Sequence, residues 1–207
     1  MNRTLFIVTI LILPWQAVTA EAPATVAGRS LEQYAELLND PDRVVRLRAM
    51  RSLAPLGEQA GVVIARGLDH DDNAMRYLAA VQLGQIGGKP LDRAAERLSE
   101  LADDERSLAV RMAASYALCE LGRVDQHLPL LVESLQYPER GMACSAAELI
   151  GRLGPQAKAA IGALEAAYAK HRPGAKGGDY HIGGAALNAL RQIRPASAAD
   201  PDAKPVP

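Results

Sequence analysis

The chain has 207 residues, of which 49% are hydrophobic and 23% are charged, a balance typical of a folded protein of one or two domains. Its formal net charge is −1, and a near-neutral chain without a basic block excludes the electrostatic footprint of a protein that binds nucleic acid or an anionic membrane surface. Aromatic residues make up only 4%, whereas alanine and leucine are abundant, which favours closely packed helices over a β-sandwich.

Residues 1–20 have the features of a cleavable secretory signal peptide. Arg3 supplies a positive charge, an apolar run extends from Leu5 to Leu13, and Val18-Thr19-Ala20 places small residues at −3 and −1 before Glu21. The run is shorter than the roughly 20 residues of a membrane-spanning helix, so we expect cleavage rather than a retained anchor. The sequence therefore predicts an exported protein, periplasmic or secreted, without stable membrane insertion after cleavage. A short linker is predicted over residues 21–29.

The chain between residues 30 and 196 repeats one pattern five times. Counting from each start, apolar or small residues recur at positions 4, 8 and 11, and a glycine stands at position 12 in the first four units. The spacing predicts one apolar stripe along a helix, and the glycine predicts the end of that helix. The units start at Val45, Met75, Val110, Met142 and Ile182.

A shorter apolar stretch precedes each unit, and turn or N-cap residues such as Asp40-Pro41-Asp42 separate the two. Each repeat is therefore predicted as helix A, an acidic turn and helix B, which bury their apolar faces by stacking on the next pair. The predicted fold is all-α, a short right-handed α-solenoid of about five helix pairs over residues 30–196. A disordered tail is predicted over residues 197–207. The helix A stretches are Leu31 to Leu38, Val62 to Leu68, Ala94 to Leu101, Leu128 to Leu135 and Ile161 to Tyr168.

Two segments carry a resemblance to a known family. The strings D-P-D-R-V-V-R-L-R-A-M-R-S-L-A-P-L-G (40–57) and L-A-V-R-M-A-A-S-Y-A-L-C-E-L-G (108–122) resemble HEAT repeats. They are most similar to the bacterial subclass called PBS-lyase HEAT-like repeats, and such segments are also appended to some bacterial secreted sulfatases. The resemblance implies a HEAT-repeat solenoid and leaves its function open.

The signal peptide and the repeat architecture together lead us to expect an exported, non-enzymatic scaffold that binds a protein partner through the concave face lined by its B helices. Two alternatives remain open. One is an accessory subunit or chaperone of an exported enzyme such as a sulfatase, and the other is a bilin lyase-type protein. The signal peptide argues against the second, because such lyases work in the cytoplasm on a bilin.

B-helix positions outside the apolar stripe supply the candidate binding residues. Tyrosines among aliphatic side chains are favoured at protein interfaces, and two exposed arginines would form a basic rim. An alternative is that these side chains pack against adjacent B helices. The candidates are Tyr77, Leu78, Val81, Met112 and Tyr116 on the face, with Arg48 and Arg51 on the rim.

An arginine follows the start of the first three units, as Arg46, Arg76 and Arg111. These arginines could bind an anionic ligand, but because they belong to the repeat pattern we predict a structural role, pairing with turn acids such as Asp42 and Asp72.

No catalytic, cofactor or metal site is predicted. His70, His171 and His181 lie near acids, but nothing in the sequence makes three or four ligands converge, as a metal site requires. Cys119 and Cys144 would lie about 10 Å apart along the helix axes if the B helices stack in register, beyond the Cα separation of about 7 Å that a disulfide allows. We expect two separate thiols.

Overall fold

The computed structural model describes residues 25–194, and helices dominate this part of the chain. Ten α-helices are found among these residues, and they alternate as helix A and helix B of five pairs, which confirms the all-α repeat fold. The A helices are α1 (Leu31–Leu37), α3 (Gly61–Ala65), α5 (Gly88–Asp104), α7 (Val124–Ser134) and α9 (Ile161–His171). The B helices are α2 (Arg43–Leu53), α4 (Asn73–Ile86), α6 (Leu108–Glu120), α8 (Arg140–Arg152) and α10 (Tyr180–Ile193). Three 3₁₀ segments, Ala54–Ala60, Arg66–Asp69 and Gly154–Ala160, complete the pairs.

A two-stranded antiparallel hairpin precedes the first helix. Strands β1 (Thr25–Val26) and β2 (Arg29–Ser30) pair across a turn. The hydroxyl of Tyr34 on α1 donates to the carbonyl of Val26 at 3.0 Å, which ties the hairpin to the helix. The segment assigned to a linker in the sequence thus ends in residues that pair with each other and contact α1.

Local hydrogen bonds fix where the B helices begin. The side chains of Asp42, Asp72 and Asp179 each accept from the backbone N–H two residues later, at 2.7, 2.9 and 3.0 Å. These aspartates satisfy donors that the first turn of a helix otherwise leaves unpaired.

The predicted glycine stops are confirmed at the ends of α4, α6 and α8, whereas α2 ends at Leu53 and Gly57 lies within the 3₁₀ segment that follows. The glycines at position 12 have φ between 57° and 84°, a left-handed conformation that a residue without Cβ adopts freely. They are Gly57, Gly87, Gly122 and Gly154.

One continuous core runs through all five pairs. The alanine at position 4 of every B helix is at most 3% exposed, and the aliphatic residue at position 8 is at most 4% exposed. Small residues at position 4 let the A and B helices approach closely. The position-4 residues are Ala49, Ala79, Ala114, Ala146 and Ala186, and the position-8 residues are Leu53, Leu83, Leu118, Ile150 and Leu190.

Candidate functional site

The structure divides the predicted binding residues into buried and accessible ones. Val81, Met112 and Tyr116 are 7%, 0% and 2% exposed, so the prediction that they offer a binding surface is wrong. Tyr77 and Leu78 are half-buried, whereas Arg48 and Arg51 are exposed.

Close packing of α4 against α6 explains the burial. Gly84 on α4 lies so near Tyr116 that a Cβ added to the glycine would stand 2.6 Å from a ring carbon of the tyrosine. Every residue of α6 from Met112 to Cys119 is buried. The alternative interpretation, packing against adjacent B helices, therefore holds for this helix.

A groove of about 590 Å³ crosses the N-terminal ends of four B helices. Its walls come from α2, α4, α6 and α8, together with the turns that lead into them. Of the seven predicted partner-binding residues, Tyr77 is the one that lines this groove. The lining consists of Arg43, Asp72, Asn73, Ala74, Tyr77, Ser107, Ala109, Gly141, Met142 and Ser145.

Tyr77 lies at the place where α4 faces α8. Burial raises the pKa of Tyr77, while Arg152 and Glu148 of α8 act on it in opposite directions and the Ser145 hydroxyl lies close to its phenol. Tyr77 is therefore a neutral phenol at physiological pH, able to donate or accept a hydrogen bond. Residues of the second and fourth repeats meet here across the third.

An ion pair stands at one end of the groove. The Arg43 guanidinium donates from Nε to Asp72 Oδ2 at 2.5 Å and from Nη2 to Oδ1 at 3.1 Å. This bidentate hydrogen bond, more than any other contact, holds the pKa of the Asp72 carboxyl below its usual value. Because Asp72 also caps α4, the pair joins two consecutive B helices at their first residues.

The arginines at position 1 have the structural role that was predicted, with backbone carbonyls as their shared acceptors and, for Arg76 alone, an acid of the next turn, Glu105. Arg46 Nη1 donates to the carbonyls of Asp40 and Pro41 at 2.6 and 3.0 Å. Arg76 Nη1 does the same to the carbonyls of the turn before α4, at 2.6 and 2.9 Å. Arg111 Nε donates to the Ala102 carbonyl at 3.4 Å. These side chains tie down the turns between helix A and helix B through backbone oxygens.

The two cysteines do not pair with each other, and two of the histidines accept hydrogen bonds from the backbone. Cys119 and Cys144 are free, and burial, followed by the charge of Glu120, raises the pKa of Cys119 to about 12. Nδ1 of His70 and Nδ1 of His171 each accept a backbone N–H, at 2.9 and 3.0 Å. Between residues 25 and 194 no three His, Cys, Asp or Glu side chains are placed to hold a metal ion. In the same range, no helix is both long and apolar enough to cross a membrane.

Comparison with known proteins identifies the repeat. Residues 31–119 match the family model of HEAT repeats. An engineered protein of known structure is 21% identical, with 79% of this chain and 78% of that chain covered and a TM-score of 0.49. A designed armadillo repeat protein is 17% identical, with 80% and 82% covered and a TM-score of 0.43. No curated protein matches the sequence. The chain is therefore similar to HEAT repeats over its first three helix pairs.

Proposed function

We propose that this chain is a non-enzymatic scaffold that binds a protein partner in the groove across α2, α4, α6 and α8. The main support for this proposal is the length of the groove, which spans four helices of four different repeats. One elongated segment of a partner could therefore contact all four helices at once. Stacked repeats characteristically provide extended surfaces of this kind.

The side chains of the groove suit a protein partner. Ala74, Ala109 and Gly141 are small and uncharged, so a partner's backbone can approach closely. Tyr77 and Met142 are of types enriched in the cores of protein interfaces. Beyond the groove, the exposed Arg48 and Arg51 on α2 offer a positive rim. Tyr77, Leu78 and the two arginines thus remain as candidate contacts from the sequence, while Val81, Met112 and Tyr116 support the core.

Site-specific photocrosslinking in the organism of origin tests this proposal. A photoreactive amino acid is placed at Ala109 in the groove and, as a matched control, at Ala166, an exposed alanine on α9. We expect a protein partner to be crosslinked from position 109 and not from position 166. The identity of that partner also decides between a general scaffold and the accessory subunit of an exported enzyme.

Calorimetry with the purified partner gives the quantitative test. Ala109→Glu places a charged side chain in the groove and should weaken binding by about tenfold or more, the equivalent of about 1.4 kcal/mol, whereas Ala166→Glu should leave the affinity unchanged. Circular dichroism and thermal unfolding establish that both variants are folded. Equal affinities of the two folded variants would exclude the groove as the binding site.

Export is part of the proposal and rests on Arg3, the apolar run from Leu5 to Leu13 and the small residues before Glu21. These residues lie outside the described part of the chain. Intact-mass analysis of the protein recovered from its own cells provides the test. A chain that begins at Glu21 in an extracytoplasmic fraction is expected, and a chain that retains residues 1–20 would contradict cleavage.

A further inference from the structure

Ion pairs between equivalent positions of the repeat link consecutive B helices at two junctions. Arg43 is the first residue of α2 and pairs with Asp72, the N-cap of α4, at 2.5 Å. Arg140 is the first residue of α8 and pairs with Asp179, the N-cap of α10, at 3.3 Å. The same two repeat positions therefore form the link in the first and the last junction.

The junction between α4 and α6 uses a variant of this link. Asn73 is the first residue of α4 and Ser107 is the N-cap of α6, so neither charge is present. Instead Arg76, one turn further along α4, pairs with Glu105 at 2.9 Å, and both side chains are less than 15% exposed. Three of the four junctions are thus joined by an arginine of one repeat and an acid of the next.

The junction between α6 and α8 has neither form of the link, because two positions of the repeat hold uncharged residues there. Glu139, the N-cap of α8, could pair with an arginine at the first position of α6, but the residue at that position is Leu108. Arg111 is equivalent to Arg76 and could pair with an acid in the next repeat. The residue equivalent to Glu105 in that repeat is Tyr137, which has no negative charge. Among the ion pairs of residues 25–194, none joins α6 to α8.

Helix packing differs at the same junction. Position 9 is glycine in α4 and in α8, and a Cβ on Gly84 or Gly151 would stand only 3.1 or 3.0 Å from a Cα of the next B helix. Position 9 of α6 is Cys119, which keeps a buried side chain where the other two helices have none. The α2/α4 junction, which has Ala54 at this position, instead gains a buried hydrogen bond from Gln82 Nε2 to the Met50 carbonyl at 2.8 Å.

We infer that the junction between α6 and α8 is a hinge, about which repeats one to three and repeats four to five move as two units. It lacks the ion pair found at the other three junctions, and it also lacks the close glycine contact found at the α4/α6 and α8/α10 junctions. The groove is lined by α4 and α6 on one side of the hinge and by α8 on the other, so the motion changes its width. This inference does not depend on what the groove binds.

Pulsed electron–electron spin resonance on the full chain tests the hinge. Spin labels on cysteines at Glu96 of α5 and Glu133 of α7 report across it, and the pairs Arg66/Glu96 and Glu133/Ala166 report within each unit; all four positions are exposed. The background is Cys144→Ser, because Cys144 is half-buried and open to labelling whereas Cys119 is fully buried. We expect the Glu96/Glu133 distance distribution to be at least about twice as wide as those of the control pairs, as for a collective motion of two units. Equal widths would overturn the hinge.

Two repair variants test its cause. Leu108→Arg supplies a partner for Glu139, and Tyr137→Glu supplies a partner for Arg111. Each should narrow the Glu96/Glu133 distribution towards the control width, and salt at about 1 M should reverse the narrowing because it screens exposed ion pairs. Leu108→Gln and Tyr137→Gln are the uncharged controls and should leave the distribution wide.

The opposite change provides a converse test. Arg140→Gln removes the link between α8 and α10 and should broaden the Glu133/Ala166 distribution. Circular dichroism confirms the helix content of each variant before labelling. If neither repair narrows the distribution, missing ion pairs do not cause the motion and the inference fails.

Discussion

Single side chains decide how closely neighbouring B helices pack. Tyr77 and Met112 occupy the same position in consecutive repeats, yet Tyr77 is half-buried in the groove wall and Met112 is fully buried. The sequence places both on one face of a B helix, because that face follows from helical periodicity. It could not predict which of them stays accessible, since accessibility depends on the distance between helices that are far apart in the chain.

Gly84 provides the sharpest test of this close packing. A Cβ at this position would stand 2.6 Å from a Tyr116 ring carbon and 3.1 Å from the Ala117 Cα, well inside the optimal separation of about 3.5–4.0 Å between carbon atoms. Because both neighbours are buried, α4 and α6 must separate to admit a methyl group. We expect Gly84→Ala to lower the free energy of unfolding, measured by urea denaturation, by about 1–3 kcal/mol.

Gly162 on α9 provides the matched control. It is exposed, has a helical backbone, and a Cβ there would meet nothing within 4 Å. Gly162→Ala should therefore raise the free energy of unfolding by about 0.5–1 kcal/mol, because alanine favours the helix. A loss of stability of the same size at both glycines would show that the α4/α6 contact is not the cause.

At the scale of the helix, the boundaries followed from local chemistry. Aspartate caps and glycine stops involve residues only a few positions apart, so the sequence was sufficient to locate most helix ends. The A helices α5 and α7 are exceptions, since α5 begins at Gly88 rather than near the predicted Ala94, and α7 begins at Val124 rather than at the predicted Leu128. The larger difference is at α5. Its buried stripe already starts at Leu91, but the charged residues around Leu91 conceal the apolar periodicity of this first turn.

Asp72 combines two functions that can be separated by mutation. It caps α4 through the N–H of Ala74 and also binds Arg43, whereas Asp42 caps α2 through Val44 in the same way. Removal of either cap should cost about 1 kcal/mol. We expect Asp72→Ala to lower the free energy of unfolding further than Asp42→Ala in urea denaturation at low salt, and the difference to shrink at high salt.

A double-mutant cycle and a pH series identify the source of that difference. Asp72→Ala should couple energetically to Arg43→Ala, whereas Asp42→Ala should not. The pKa of the Asp72 carboxyl is lowered in the folded state, chiefly by the Arg43 hydrogen bond. The stabilisation is therefore complete above the unfolded-state pKa and is lost as the pH falls through the folded-state value. Additivity of the Asp72 and Arg43 substitutions would exclude a stabilising link.

At the scale of the whole molecule, the repeat pattern predicted five helix pairs, while the proposed hinge lies where repeats differ. Leu108 and Tyr137 are uncharged residues at repeat positions where Arg43 and Glu105 stand in other repeats. Their meaning is clear only from the structure, which shows that the first residue of one B helix lies beside the N-cap of the next. Contacts between repeats are long-range in sequence, and periodicity within one helix carries no information about them.

The stacked arrangement also predicts how stability is distributed along the chain. Each repeat of a solenoid is stabilised by its nearest neighbours, so a repeat at the end has support on one side only. Helix α6 lies in the middle repeat and is buried from Met112 to Cys119, whereas α1 comprises only Leu31–Leu37 and buries a single residue, Tyr34. We expect the amides of α6 to exchange most slowly with solvent and those of α1 most rapidly.

Hydrogen exchange followed by mass spectrometry of peptides measures this gradient, because local opening free energies range from near zero to the global value. The amides of α10 should exchange more slowly than those of α1, although both helices are in terminal repeats. The reason is that α10 packs closely on Gly151 of α8 and is linked to it by Arg140 and Asp179. Uniform exchange rates from α1 to α10 would mean that the five pairs unfold as one cooperative unit. The free energy of local opening would then be the same on both sides of the α6/α8 junction.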